Sequence, residues 1–307
     1  MKTNRRLVVF GAYGHTGRFV VSELSRRGWT PILSGRDAQR LATLARTLPA
    51  LEQRLASVED PASLDRALAG AVAVINCAGP FLDTAEAVIQ AALRSGIHYL
   101  DVSAEQQAVL DVHERFADAA NAAQVTVLPG VGFYGGVADL LASAALGDWP
   151  EADAIDTAVA LDSWHPTAGT RLTGERNHHP RKVIERGELV ALADPPPSRE
   201  WTFPAPFGTL AVVGLPLSEI ITISRHLPCD EVHSYMNLAP LTDLRNPDTP
   251  PPVPADAHGR SAQIFMVDTQ VRRRGEVRRA TLQGRDIYAL TAPLVVEAME
   301  RILTGRS

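Results

Sequence analysis

Three glycines at three-residue spacing, Gly11, Gly14 and Gly17, follow the apolar, β-branched run Leu7-Val8-Val9-Phe10, and a helical pattern starts behind them. Strand, tight turn and helix in that order make a seat for a dinucleotide. The first glycine turns the chain off the strand, the second lets backbone approach a pyrophosphate, and the third lets the helix lie near the sheet. Tyr13, His15 and Thr16 fill the same turn and are expected to line the nucleotide. The helix offers its free N–H groups and positive dipole end to the phosphates.

The second strand selects the dinucleotide. It reads Pro31-Ile32-Leu33-Ser34-Gly35-Arg36, and Arg36 occupies the place where an NAD-specific unit carries an acidic residue for the ribose hydroxyls. A guanidinium there suits a 2′-phosphate, which it can pair bidentately, and Ser34 can add a hydroxyl donor. Asp37 has two readings: a ribose-binding carboxylate displaced by one position, or the N-cap of the helix that follows. The expected cofactor is NADP(H).

These residues need a scaffold, and the hydrophobic pattern supplies one. From residue 5 to about 131, strand and helix alternate with short connections through six strands, as a doubly wound parallel sheet of the Rossmann type requires. The fourth strand, Ala71-Val72-Ala73-Val74-Ile75-Asn76, is a nearly continuous apolar run, expected of a strand buried on both faces. After Gly130 the pattern changes. A helix is expected from Val137 to about Leu146, and residues 156–162, 209–213, 219–225, 231–238 and 262–272 then read as strands without intervening helices. The fold class is therefore α/β, with a second α+β domain carrying a mixed or antiparallel sheet. The boundaries follow: 1–130 plus about 285–307 for the NADP-binding domain, where an amphipathic segment over about 292–303 returns to pack, and 131–284 for substrate and dimer contacts. Arginines at 272–274 and 278–279 flank a turn and are expected on a solvated hairpin.

Length and composition narrow the classes. The chain has 307 residues, enough for two domains, with 45% hydrophobic and 21% charged residues and a net charge of −5, which argues against a nucleic-acid partner. Cys77 and Cys229 cannot make a disulfide framework and have no neighbours at metal-ligand spacing, so no metal and a reducing cytoplasm are expected. No apolar run reaches the roughly 18–20 residues that span a bilayer. The apolar stretch behind Lys2, Arg5 and Arg6 is too short for a secretion signal.

Candidate chemistry lies at the carboxyl edge of the first sheet and beyond it. Cys77-Ala78-Gly79-Pro80 ends the fourth strand as a backbone platform on which Gly79 permits close approach of the nicotinamide ribose and Pro80 fixes the loop. Cys77 reads as packing rather than as a nucleophile. Asp101, Ser103 and Glu105 leave the fifth strand on the same edge, either as binders of a substrate amine or the nicotinamide amide or as helix caps. Hydride transfer needs a preorganised polar pocket and at most one proton donor. Tyr134, Asp101 and His165 are the catalytic candidates, with His178 and His179 behind them, and Arg171, Arg176 and Arg181 either bind a carboxylate or line a polar loop.

Five blocks, Gly-Ala-Tyr-Gly-His-Thr-Gly (11–17), Ser-Gly-Arg-Asp (34–37), Val-Ile-Asn-Cys-Ala-Gly-Pro-Phe (74–81), His-Tyr-Leu-Asp-Val-Ser-Ala-Glu (98–105) and Pro-Gly-Val-Gly-Phe-Tyr-Gly-Gly-Val-Ala-Asp-Leu (129–140), resemble the successive signatures of saccharopine dehydrogenase-like oxidoreductases. Gly284-Arg285-Asp286-Ile287-Tyr288 is a weaker echo. The resemblance implies NADP(H) on a Rossmann domain, a second domain shaping a small-molecule pocket and often a homodimer contact, and hydride transfer to C=N or C=C bonds. Residues 150–280 match no substrate-binding pattern of that family. A short-chain dehydrogenase is excluded because none of Tyr13, Tyr99, Tyr134, Tyr235 or Tyr288 has a lysine four residues on. The competing reading is a non-catalytic NADP-binding sensor or interaction protein, which would keep the glycines and Arg36.

Overall fold

The computed structural model describes residues 5–306. The chain divides into two compact units, one running up to Gly132 with Leu172–Arg176 and the residues from Thr291 on, the other made of Phe133–Arg171 and Asn177–Leu290.

The first unit alternates β1 (Arg6–Phe10), α1 (His15–Arg26), β2 (Thr30–Gly35), α2 (Ala38–Thr47), β3 (Gln53–Leu55), α3 (Pro61–Leu68), β4 (Ala73–Asn76), α4 (Phe81–Ser95), β5 (His98–Asp101), α5 (Gln106–Ala123) and β6 (Val127–Leu128). All strand pairings are parallel and the order is β3-β2-β1-β4-β5-β6, that of two mononucleotide-binding halves meeting between β1 and β4. Alternate side chains of the same strands feed two cores. Val8, Ile32, Val74 and Tyr99 pack under α3, α4 and α5, while Leu7, Val9, Leu33 and Ile75 pack on the opposite face with Val20 and Leu24 of α1. Ala292, Val295, Val296 and Met299 join that second core and are buried, so the C-terminal segment packs on the first sheet.

The second unit opens with a π-turn at Phe133–Val137 and α6 (Ala138–Leu146), then runs through β7 (Ala152–Leu161), α7 (Ala168–Arg176, whose last turn counts with the first unit), β8 (Lys182–Glu185), β9 (Glu188–Ala191), β10 (Ser198–Thr202) and β11 (Thr209–Gly214). It continues with α8 (Glu219–Ser224), β12 (Cys229–Asn237), α9 (Leu238–Arg245), β13 (Ile264–Arg273), β14 (Glu276–Arg285) and α10 (Ile287–Leu303), which crosses into the first unit at Thr291. The sheet is mixed: β12 and β7 are parallel, and the other pairings are antiparallel.

Two expectations are corrected here. Residues 219–225 are not a strand; Glu219–Ser224 is helical, Ile220, Ile221 and Ile223 are all buried, and Ile220 and Ile223 share a core with Ala142, Ile155 and Ile184. A six-residue helix buried on most of its surface shows no periodicity, and tertiary packing overrides the β preference of its isoleucines. The strands are also interrupted by helices, α7, α8 and α9. The arginine hairpin is real, but its arginines are held by carboxylates: Arg272 by Asp156 at 2.5 Å, Arg278 by Asp148 at 2.6 Å and Arg279 by both oxygens of Asp268 at 2.6 and 2.8 Å.

Candidate cofactor-binding site

The glycine turn is as tight as its spacing implies. Gly11 has φ +83° and its N–H donates to the Ser34 carbonyl at 2.9 Å, tying the end of β1 to β2. A side chain at Gly11 would place Cβ 2.8 Å from the Ala78 nitrogen, and one at Gly17 would place it 2.3 Å from the Gly11 carbonyl oxygen. Both positions therefore demand glycine. Gly14 is the N-cap of α1, with no capping side chain and no acidic residue in the first turn. The neighbouring helices differ. Asp37 caps α2 through the N–H groups of Gln39 and Arg40, both at 3.0 Å; Asp60 caps α3 through Ser63; and Glu105 takes the N–H groups of Phe81 and Leu82 at the start of α4 at 2.7 and 3.2 Å. The positive end of α1 is thus open to an anion.

At the tip of β2, Arg36 is exposed and makes no ion pair among the described residues, while Asp37 faces back to its helix. This decides between the two readings of Asp37 in favour of the cap. Arg40, one turn into α2, lies over the Tyr13 ring at 4.7 Å, and the Tyr13 hydroxyl accepts the Asp37 N–H at 3.1 Å. Two guanidiniums therefore border an exposed edge beside the glycine turn, and the residues fit a nucleotide with an extra phosphate. Ser34 does not stand beside them: it is fully buried, its hydroxyl has no partner among the described residues, and it serves the turn through its carbonyl. Thr16 and His15 are half-buried at the start of α1, and His15 stacks edge-on against Phe19 at 5.3 Å.

The platform after β4 is locked from below. Asn76 accepts the Ala78 N–H at 2.9 Å and donates to Thr84 and Tyr99, while Thr84 donates to the Ala78 carbonyl at 2.7 Å. Gly79 is half-buried and Pro80 is the N-cap residue of α4. Burial pushes the Cys77 thiol well up, which keeps it protonated and inert.

The catalytic expectation for Asp101 is corrected. Its carboxyl is 1% exposed; Oδ1 accepts the N–H groups of Ser103 at 3.0 Å and Gly130 at 2.8 Å, and Oδ2 accepts the Tyr99 hydroxyl at 2.8 Å. Burial raises its pKa and those donors partly offset the rise. Asp101 is a clamp that fixes the loops after β5 and β6. Ser103, also buried, accepts the Glu105 N–H at 3.1 Å and orders the turn into α5.

The family model for the saccharopine dehydrogenase NADP binding domain matches residues 7–128. That match begins in β1 and ends with β6, so it spans the six parallel strands of the first unit. Human saccharopine dehydrogenase-like oxidoreductase is 34% identical over 143 residues, covering 38% of this chain and 33% of that protein, and the bovine protein of the same name is 31% identical over 161 residues, covering 46% and 38%. The chain spans about a third of the length of these curated relatives. Among solved structures, apo saccharopine dehydrogenase (L-Glu forming) from Saccharomyces cerevisiae aligns over 98% of this chain and 92% of its own, with TM-score 0.65 and 13% identity, a likeness of fold.

Outside the NADP-binding domain, the structure sorts the remaining candidates. The Tyr134 hydroxyl is fully buried without a hydrogen-bond partner among the described residues and lines a small cavity with Glu219, Ser234 and Tyr235. His165 is half-buried and does not line that cavity; His178 and His179 are exposed. Arg171 donates to the Asn246 and Thr249 carbonyls at 3.2 and 2.8 Å, which makes it a loop brace, and Arg176 pairs with Asp83. Arg181 donates to the Pro216 carbonyl at 2.8 Å and favours the ionised form of Glu219. Sequence reasoning missed Arg40, Glu219 and Ser234. The first follows Arg36 by one helical turn, a spacing that was legible; the second was hidden inside a run that reads as a strand. Among the described residues no cluster of His, Cys, Asp and Glu could hold a metal, and no helix is long and apolar enough to cross a membrane.

Proposed function

We propose that the chain is an NADPH-dependent reductase that delivers hydride to a C=N or C=C bond of a small molecule. The observation that carries the reading is the uncapped start of α1 beside the exposed guanidiniums of Arg36 and Arg40. The names of the relatives, oxidoreductases, supply the reaction class. In this reading the backbone around Gly11, Gly14 and Gly17 with Tyr13, His15 and Thr16 seats the pyrophosphate, Arg36 and Arg40 hold the 2′-phosphate, and the platform at Cys77, Ala78, Gly79 and Pro80, steadied by Ser103, bears the nicotinamide ribose. NADPH supplies the hydride when bound.

Tyr134 is the proposed proton donor, supported by its buried and unpartnered hydroxyl; burial holds that hydroxyl well above its ordinary range, so it keeps its proton at neutral pH. Residues 131–284 are assigned the substrate pocket and a homodimer contact. The free thiols of Cys77 and Cys229 suit a reducing cytoplasm.

The test follows NADPH oxidation with cyclic imines and activated alkenes, using NADPH deuterated at the nicotinamide. Deuterium appearing on carbon in the product supports the reductase. Tight NADPH binding with no turnover of either class favours a sensor.

A further inference from the structure

Three residues from three elements of the second unit line one cavity, Tyr134 from the π-turn, Ser234 from β12 and Glu219 from the first residue of α8; their buried Oη, Oγ and Oε2 atoms make no hydrogen bond of good geometry among the described residues, although the Ser234 hydroxyl lies close enough to the Glu219 carboxyl to favour its ionised form. The other carboxyl oxygen of Glu219 accepts the Leu217 N–H at 2.8 Å. Phe133, Val159, Met236 and Val267 make the rest of the wall mostly apolar. A lone buried hydroxyl is a defect, yet three buried oxygens on residues that line one cavity can serve together as partners for something small and polar. The cavity volume, about 10 Å³, is room for one water molecule, and three partners is the usual number for a buried water.

We propose that a single water in this cavity joins Tyr134 to Glu219, and that Glu219 positions the tyrosine hydroxyl and resupplies its proton. The proposal rests on Tyr134 being the proton donor of the reduction. When Tyr134 has given its proton to the product, the phenolate takes one from the water and the water takes one from the Glu219 carboxyl. Solvent then reprotonates the carboxylate, so protons balance and no electrons move.

Burial raises the Glu219 carboxyl, which keeps it a donor into a higher pH range, while the Leu217 N–H, Ser234 and Arg181 oppose the rise. Tyr134 is influenced in turn by Tyr288, Glu219 and Arg181. Tyr235 of β12 lines the same cavity, and the Asp139–His226 pair joins α6 to the residues just after α8, with its histidine largely in solvent.

The test uses the full chain. A high-resolution crystal structure is expected to place one water within hydrogen-bond distance of all three oxygens. In infrared titration, the carbonyl band of the protonated Glu219, identified by its loss in Glu219→Gln, is expected to shift in Tyr134→Phe. In steady-state kinetics Glu219→Gln is expected to lower kcat roughly tenfold, with KM for NADPH changed less than about twofold, and to remove the alkaline limb of the pH profile that belongs to the carboxyl. Ser234→Ala, which deletes one partner of the water and is the milder change, is expected to lower kcat by a smaller factor. A dry cavity, a carboxyl band unmoved by Tyr134→Phe, or an unchanged kcat and pH profile in Glu219→Gln overturns the coupling. The first two readouts need no turnover, so a wild-type chain inactive on imines and alkenes counts against the reductase reading alone.

Discussion

The Arg40 guanidinium lies 4.7 Å from the centroid of the Tyr13 ring, and the hydroxyl of that tyrosine accepts the Asp37 N–H at 3.1 Å. One aromatic side chain thus joins the glycine turn to the start of α2. It also sets the identity of residue 35, because a Cβ at Gly35 would lie 2.6 Å from the ring. Arg40→Gln is expected to weaken NADPH binding about tenfold, the worth of a charge-assisted bond to phosphate, and to leave NADH within about twofold. Fluorescence titration with the two nucleotides measures both.

The packing of α1 against the turn makes a second prediction. Gly17→Ala puts a methyl 2.3 Å from the Gly11 carbonyl oxygen and 3.0 Å from the Ala12 Cα, both backbone. Relief requires the turn to open, so a loss of about 1–3 kcal/mol in stability is expected together with loss of nucleotide binding. Thermal melting with and without NADPH reads the two effects, and the NADPH-dependent rise in Tm should vanish.

Asp101 separates a structural from a catalytic role. Asp101→Ala strands the N–H groups of Ser103 and Gly130 and the Tyr99 hydroxyl, each at a cost of about 1–3 kcal/mol. The expected outcome is a large fall in the urea midpoint, with the folded remainder still binding NADPH. A variant as stable as the wild type but inactive would restore the catalytic role.

The first unit was legible because its signals are local. Strand, glycine turn and helix follow one another in the chain, Asp37 and Asp60 stand at cap positions, and the central strands β1 and β4 show apolar, β-branched runs. The apolar stripe at Ala292, Val295, Val296 and Met299 showed that the C-terminal segment needs a partner, and the first sheet is that partner. The second unit was less legible because its elements are decided by contacts distant in sequence. The run from Glu219 carries strand formers that the core of β7, β8 and α6 holds as a helix, and β14 is polar along most of its length because it lies at the sheet edge. Asp101 and Glu105 were visible as polar residues at the ligand edge. Their work is set by the Gly130 and Phe81 N–H groups, 29 and 24 residues away, which no local pattern reveals.

Glu219 predicts a pH dependence with a definite sign. Burial raises its carboxyl above the ordinary glutamate value of 4.5, so the folded chain binds more protons than the unfolded one between that value and the raised one. Its contribution to stability is full below that window and is lost as pH rises through it. Asp101 and Glu105 are raised for the same reason and contribute in the same direction. The difference between wild type and Glu219→Gln isolates the one group: relative to the variant, the wild-type urea midpoint is expected to fall as pH rises from 4.5. A difference that is flat or of opposite slope would contradict the buried, raised carboxyl.

The account turns on a phosphate-bearing nucleotide resting at the start of α1 with its 2′-phosphate on Arg36. Calorimetric titration of wild type and Arg36→Asp with NADPH and with NADH tests this most directly. Loss of a bidentate pair plus the repulsion of a new carboxylate is expected to weaken NADPH by roughly a hundredfold and NADH by less than about threefold. Equal weakening of both nucleotides, or no uptake of NADPH by the wild-type chain, would contradict it.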